Sequence, residues 1–266
     1  MKSSITKVCF LVCTLFMANC SANDPTKIII ITEFGEIELQ LFEKTPLHRD
    51  NFIKLVKEGY YDGTLFHRVI KNFMIQGGDP NSKNATPGAR LGVGGPDYTV
   101  PAEFVPEYIH KRGALAAARQ GDHVNPLKAS SGSQFYIVQG KVFNEEEIEQ
   151  VELQIGQGIA RQMYTQFLEE EQEAMRRAGQ TVDPVAAHDR ASERASAFLA
   201  ENPYRMSDED RRIYKTVGGA PHLDGEYTVF GEVIRGMDVI DKITEMEVDD
   251  AYRPNVDVRI RRMRTR

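Results

Sequence analysis

A mainly β fold interrupted by a block of α-helix is what three features of the 266-residue sequence predict. The run "KIIIITEFGEIELQLFE" (27–43) holds two β-rich stretches split at Phe34-Gly35, and the second alternates apolar and polar residues through Ile37, Leu39 and Leu41. From Tyr60 to Val138, short apolar runs are punctuated by Gly, Pro and Asn, a texture of strands and loops. Between Asn144 and Gly179 the apolar residues fall at 148, 151, 155, 159, 163 and 167, the spacing of one amphipathic helix.

Taken in order, the first two stretches read as a hairpin with one buried face. "TPLHRDNFIKLVKEG" (45–59) reads as a short helix with Thr45 as N-cap and Pro46 at its first position; Phe52, Leu55 and Val56 lie on one face and Gly59 stops it. "SQFYIV" (133–138) has the apolar continuity of a buried strand. In the 144–179 helix, Gly156 and Gly158 are weak points. A second helix starts at Asp183-Pro184 and ends near Asn202-Pro203; a third, short one starts at Ser207 with Asp208, Glu209 and Asp210 in its first turn. Beyond residue 216, "YTVFGEV" and "VDVRIRRM" read as strands, with "GMDVIDKIT" as a helix between them. The 144–214 region carries 16 acidic and 8 basic side chains, so it holds −8 of charge while the rest of the chain sums to +2.

The N-terminus has the make-up of a targeting segment. Lys2 and Lys7 precede an apolar run, Val8 to Ala18, that is too short to span a bilayer. It ends at Cys20, followed by the small polar run "SANDPT", which resembles the lipid-attachment site of a bacterial lipoprotein, with Asn19 where Gly, Ala or Ser is usual. All three cysteines (Cys9, Cys13, Cys20) lie here, so cleavage before Cys20 leaves no cysteine pair for a disulfide. The expected organisation is a signal peptide over 1–19, a tether over 20–25, a domain built from 26–140 and 215–266, and an acidic helical insert over 141–214. The net charge of −6 argues against a broad nucleic-acid surface. His48, His110, His123, His188 and His222 show no metal-ligand spacing, and "GVGG" (92–95) is followed by neither the lysine nor the helix of a phosphate loop.

The stretch "FHRVIKNFMIQGGD" (66–79) sets one arginine and one glutamine among large apolar residues, with no nucleophile and no acid–base pair. Here the sequence resembles the cyclophilin family of peptidyl-prolyl cis-trans isomerases. The likeness continues through "LGVGGPDYTVPAEF", "GALAAAR", "SSGSQFYIV" and "PHLDGEYTVFGEVIRGMDVIDKI", and so covers about 26–140 and 215–263. The resemblance implies a closed eight-stranded antiparallel barrel capped by two helices, interrupted by the helical insert. It implies Arg68 as the catalytic arginine and Gln76 as its orienting partner, with Phe73, Met74, Tyr136 and Leu223 as walls of a proline pocket. Ala118, Arg119 and Gln134 match the strip that binds residues preceding proline. His222 and Tyr227 match rim positions where many members carry tryptophan and histidine.

That residue set suits the implied reaction, because turning an X–Pro bond moves no proton and breaks no σ-bond; the barrier of ~18–20 kcal/mol is lost amide resonance. A fixed, always-charged guanidinium donates to the proline nitrogen as it regains a lone pair. No cofactor is needed. The expected substrates are proline-containing, unfolded or partly folded proteins met in a bacterial cell envelope, facing the periplasm or the exterior, with membrane attachment through Cys20. Two alternatives stay open: a non-catalytic module that captures proline segments, and a chaperone whose insert holds clients. The insert is also a candidate surface for a protein partner, and "RIRRMRTR" is either the solvated end of a strand or a foot on anionic lipid.

Overall fold

The computed structural model describes residues 26–266; the signal segment, Cys20 and the tether lie outside the described residues. Strands β1 (Lys27–Thr32) and β2 (Gly35–Leu41) form the expected hairpin. Gly35 opens β2 at φ 133°, and a Cβ there would come within 2.9 Å of Val239, so this turn needs glycine on two counts. Helix α1 (Pro46–Lys57) follows, then β3 (Arg68–Ile70), β4 (Met74–Gly77), β5 (Thr99–Val100), β6 (Ala114–Ala117), β7 (Ser130–Ser131) and β8 (Phe135–Val138). The insert supplies α2 (Glu145–Arg177), α3 (Pro184–Glu201) and α4 (Asp208–Thr216); β9 (Val229–Arg235), α5 (Met237–Thr244) and β10 (Arg262–Thr265) complete the chain.

Eight strands form one curled antiparallel sheet in the order β10-β1-β2-β9-β6-β8-β4-β3, with β5 and β7 paired separately. The inward residues Ile28, Ile30, Ile37, Leu39, Val69, Ile75, Leu115 and Ile137 share one interior with Phe52, Leu55 and Val56 of α1 and Val239, Ile240 and Ile243 of α5. Phe52 sets α1 against the sheet by meeting Phe135 and Phe230 edge-on at 5.4 and 5.3 Å. Each such fully buried side chain contributes roughly 1.5–3 kcal/mol through its removal from water.

The sheet is open, not the closed barrel expected. No ladder joins its end strands β3 and β10, and the strand expected over 256–263 is regular only from Arg262. Across the gap run a single bridge, Leu65 with Arg259, and backbone bonds from Phe66 to Val258, Gly63 to Ile260 and Ile260 to Thr64. Gly63, left-handed at φ 84°, ends the extended backbone on one side, which leaves too short a run for a ladder.

The start of α1 also departs from expectation. Thr45 makes no side-chain cap; its hydroxyl donates back to Phe42 O. The open N–H groups of Leu47 and His48 donate instead to the carboxylate of Glu103, at 3.1 and 3.0 Å. Within the insert the local signals hold. Asn144 and Glu147 form a capping box at the head of α2, which runs unbroken through Gly156 and Gly158, and Asp183 and Ser207 cap α3 and α4. Ala187, Ala191 and Ala195, all buried on one face of α3, let it lie close on α2. The insert joins the rest of the domain through a separate cluster in which Ile109 packs with Phe143, Ile148, Val151, Met206 and Tyr214.

His67 is 4% exposed, and neither ring nitrogen has a hydrogen-bond partner among the described residues. Burial lowers its pKa from an ordinary 6.5 to about 4; Asp79 opposes the shift and Arg68 and Arg253 add to it. Above pH 6.5 the ring is neutral in both folded and unfolded chains, and its contribution to stability is fully present. Between pH 6.5 and about 4 the unfolded chain takes up a proton that the folded one refuses. Stability is therefore expected to decline across that window by about 3 kcal/mol from this residue alone. Urea unfolding of the parent and of His67→Phe at several pH values checks this: the variant's profile is flatter, and an equal slope in both refutes the assignment.

Candidate active site

The strand register gathers the site. Arg68 on β3 pairs with Gln76 on β4, Gln76 with Tyr136 on β8, and Tyr136 with Ala116 on β6. Paired residues share a face, so these four form a row across the sheet on the side opposite the core. Their sequence neighbours Val69, Ile75, Ile137 and Leu115 point inward and are buried.

Over that row lies a cleft of about 120 Å³ lined by Arg68, Phe73, Met74, Gln76, Ala118, Arg119, Tyr136, Leu223 and Tyr227. The remaining two residues singled out from sequence are at its edge. Gln134 is buried and accepts from Gln76 Nε2 at 3.1 Å, while donating to Gly94 O at 2.7 Å. His222 is exposed on the rim, its ring 5.5 Å from that of Phe73. The lining holds no serine, cysteine, lysine or carboxylate, so its chemistry is confined to hydrogen bonding, charge and apolar contact.

The two arginines of the cleft are held very differently. Arg119 donates to Glu226 O (2.7 Å), Glu226 Oε2 (2.9 Å), Gln120 O (2.9 Å) and Asp122 Oδ1 (2.5 Å), and its guanidinium lies 4.6 Å from the centre of the Tyr227 ring. Four of its five N–H donors are engaged, and what it offers the cleft is chiefly a fixed wall. Arg68 has one neutral partner, Gln76 Oε1 at 3.4 Å, and stands 5.9 Å from the Tyr252 ring. Most of its five N–H donors remain free for a bound molecule.

The Tyr136 hydroxyl turns inward, away from solvent. Its Oη donates to His110 Nε2 at 2.9 Å, His110 Nδ1 donates to Asp224 Oδ1 at 2.9 Å, and Tyr214 Oη donates to Asp224 Oδ2 at 2.5 Å. Because a carboxylate only accepts, the Nδ1 of His110 carries the proton and Nε2 is left to accept from Tyr136. His110 and Tyr214 are fully buried and Tyr136 is 5% exposed. Burial, with Tyr227 and Asp224 beside it, raises the Tyr136 phenol well above its ordinary pKa, so it stays a donor throughout the neutral range. The chain of bonds runs from the insert helix α4 to the floor of the cleft. Sequence reading singled out none of His110, Asp224 and Tyr214 as a site residue. The one available signal was the tyrosine hydroxyl at 136, which in an apolar wall needs a partner.

Tyr136→Phe removes the donor and leaves His110 Nε2 buried and unpaired. The expected loss is about 1–3 kcal/mol in urea unfolding, the desolvation penalty of the abandoned nitrogen. An unchanged stability would mean that the hydroxyl does not make this bond.

Three comparisons bear on this geometry. The model of the cyclophilin type peptidyl-prolyl cis-trans isomerases matches residues 27–157 and 199–265, passing over the middle of the insert. A Staphylococcus saprophyticus protein whose name gives peptidyl-prolyl cis-trans isomerase as its inferred activity is 30% identical over 238 residues, 88% of each chain. A Streptococcus pyogenes protein, named for inferred phosphatase and isomerase activities together, is 32% identical over 240 residues; these are 87% of this chain but 37% of that one. The fold is shared with a cyclophilin type isomerase of Cryptosporidium parvum, at a TM-score of 0.52 and 22% identity over 91% of this chain and 98% of that one. The same Cryptosporidium protein solved in the presence of the dipeptide Ala-Pro aligns at a TM-score of 0.50, with 22% identity over 89% and 96% of the two chains. With its matched segments taking in the whole eight-stranded sheet and the cleft upon it, the chain belongs to the cyclophilin-type peptidyl-prolyl cis-trans isomerases.

Proposed function

We propose that the cleft speeds rotation about X–Pro bonds by holding the proline ring against Phe73, Met74, Tyr136 and Leu223 while Arg68 stabilises the twisted amide. The observation that carries this reading is the guanidinium of Arg68, permanently charged and, among the described residues, hydrogen-bonded only to Gln76 at 3.4 Å, at a cleft lined by no serine, cysteine, lysine or carboxylate. As the amide twists, the proline nitrogen regains a lone pair and accepts a hydrogen bond that the planar ground state does not offer. A donor fixed there binds the transition state better than the substrate. Gln76 orients the guanidinium and is itself steadied by Gln134, in line with a role at the substrate backbone. Apolar walls keep water from the carbonyl and so from restoring amide resonance, a smaller effect.

The substrates in this reading are proline-containing polypeptides; the Ala-Pro dipeptide named for the Cryptosporidium structure supports that class. The site of action is the bacterial cell envelope, at the periplasmic or outer face, through lipid on Cys20. Support comes from Lys2, Lys7, the apolar run Val8 to Ala18 and the position of Cys20. Among the described residues, no helix is long and apolar enough to cross a membrane. Uncatalysed X–Pro isomerisation takes tens to hundreds of seconds, so acceleration matters where that step limits folding.

A protease-free assay on a short Xaa-Pro peptide, comparing the chain with its Arg68→Ala variant, tests the proposal. The expected loss in kcat/KM is on the order of 100-fold, that of removing one transition-state hydrogen-bond donor. A folded parent no faster than buffer would hand the cleft to the proline-binding reading, without catalysis.

A further inference from the structure

Beside the proline cleft lies a second one, of about 330 Å³, between α2 and the rim. One face of the helix, Ile155, Gly158, Ile159 and Gln162, forms one side; His222 and Glu226 stand on the other. The two clefts share no lining residue, but side chains in contact link one to the other. The His222 ring lies 5.5 Å from that of Phe73 in the proline cleft, tilted by 35°, and Glu226 holds Arg119, which lines it.

Gly158 is the informative residue. Glycine inside a helix is unfavourable and usually marks a close contact. Gly156, two residues earlier, has such a reason: a Cβ there would meet Leu199 at 3.1 Å. At Gly158 a Cβ would meet nothing within 4 Å, yet the residue faces the second cleft. The missing side chain therefore does nothing for packing inside the insert, and what it leaves is an open floor facing the rim.

We infer that this cleft is an extended substrate subsite, in which the polypeptide flanking the bound proline runs over His222 and lies against α2. It takes an extended segment bearing an aliphatic side chain. Ile155 and Ile159 give half-buried apolar contact, the bare Gly158 admits main chain, and the exposed Gln162 amide bonds to backbone of any sequence. The opposite wall also carries Asp122 and Asp224. Arg119 and Lys128 pair with Glu226 and Arg119 with Asp122, while Asp224 meets His110 and Tyr214. Three carboxylates thus face two cations, and the subsite selects for length and apolar character and against acidic side chains. This inference rests on the isomerase reading.

The test uses the full chain in detergent, its Gly158→Phe variant and its Gln162→Ala variant. Each is assayed on one Xaa-Pro tetrapeptide and on a longer peptide with the same Xaa-Pro flanked by leucines on both sides. Gly158→Phe fills the floor from a Cβ position that meets no atom within 4 Å and removes the helix glycine, and its turnover of the tetrapeptide reports whether the fold is kept. On the longer peptide its kcat/KM is expected to fall about fivefold or more, through KM, with the tetrapeptide unchanged within about twofold. Gln162→Ala is expected to move in the same direction by a smaller factor. Equal losses on both peptides, or no loss on either, overturn the subsite while leaving the isomerase reading intact. A parent inactive on both peptides overturns the isomerase reading, and the subsite with it.

Discussion

The register of four short strands is the constraint on which the site depends. Because Arg68, Gln76, Tyr136 and Ala116 are cross-strand partners, one pleat phase sends all four to the outer face and Val69, Ile75, Ile137 and Leu115 to the core. A one-residue slip of β4 would bury Gln76 and expose Ile75. Core packing and site assembly are thus the same selection, enforced by the cost of exposing fully buried aliphatic side chains. The sheet need not close for this to work: the row lies on β3, β4, β8 and β6, and the opening falls between β3 and β10.

The rim depends on two carboxylates in one short loop. Asp224 binds both the backbone N–H and the Nδ1 of His110 and the hydroxyl of Tyr214, tying the segment ahead of β6, the insert and the rim loop together. Two residues on, Glu226 holds Arg119 and Lys128. Leu223 and Tyr227, which face the proline cleft, are carried on that same loop. The insert is therefore not an appendage remote from the cleft. Its last helix supplies a buried hydroxyl to the loop that shapes the cleft, and its first helix stands beside the rim.

What was legible in the sequence was local. The hairpin, α1 and the three insert helices follow from periodicity and from caps within three residues of the element they start, as at Asn144, Asp183 and Ser207. What was not legible was long-range. The cap of α1 comes from Glu103, some 55 residues away, so the threonine at the expected position carried a signal that the fold does not use. The openness of the sheet turns on a few backbone bonds between 63–66 and 258–260, which no pattern of apolar residues encodes. The cleft residues were found together because several motifs in order resemble one family. His110 and Asp224 lie 114 residues apart and have meaning only once folded.

The contrast between Arg119 and Arg68 also explains why an arginine alone is a poor sequence signal for this chemistry. Both line one cleft, but two carboxylates neutralise Arg119, and with two backbone carbonyls they engage four of its five donors. A guanidinium in that state has little left for an amide that acquires hydrogen-bonding capacity only as it twists. The nearest partner of Arg68 is a neutral amide at 3.4 Å, itself held by a second amide, Gln134. A glutamine pair orients the cation without compensating its charge, whereas a glutamate in the place of Gln76 would orient and neutralise it together. The identity of residue 76, as much as the arginine it faces, decides whether the cleft presents an available positive charge to a bound prolyl bond.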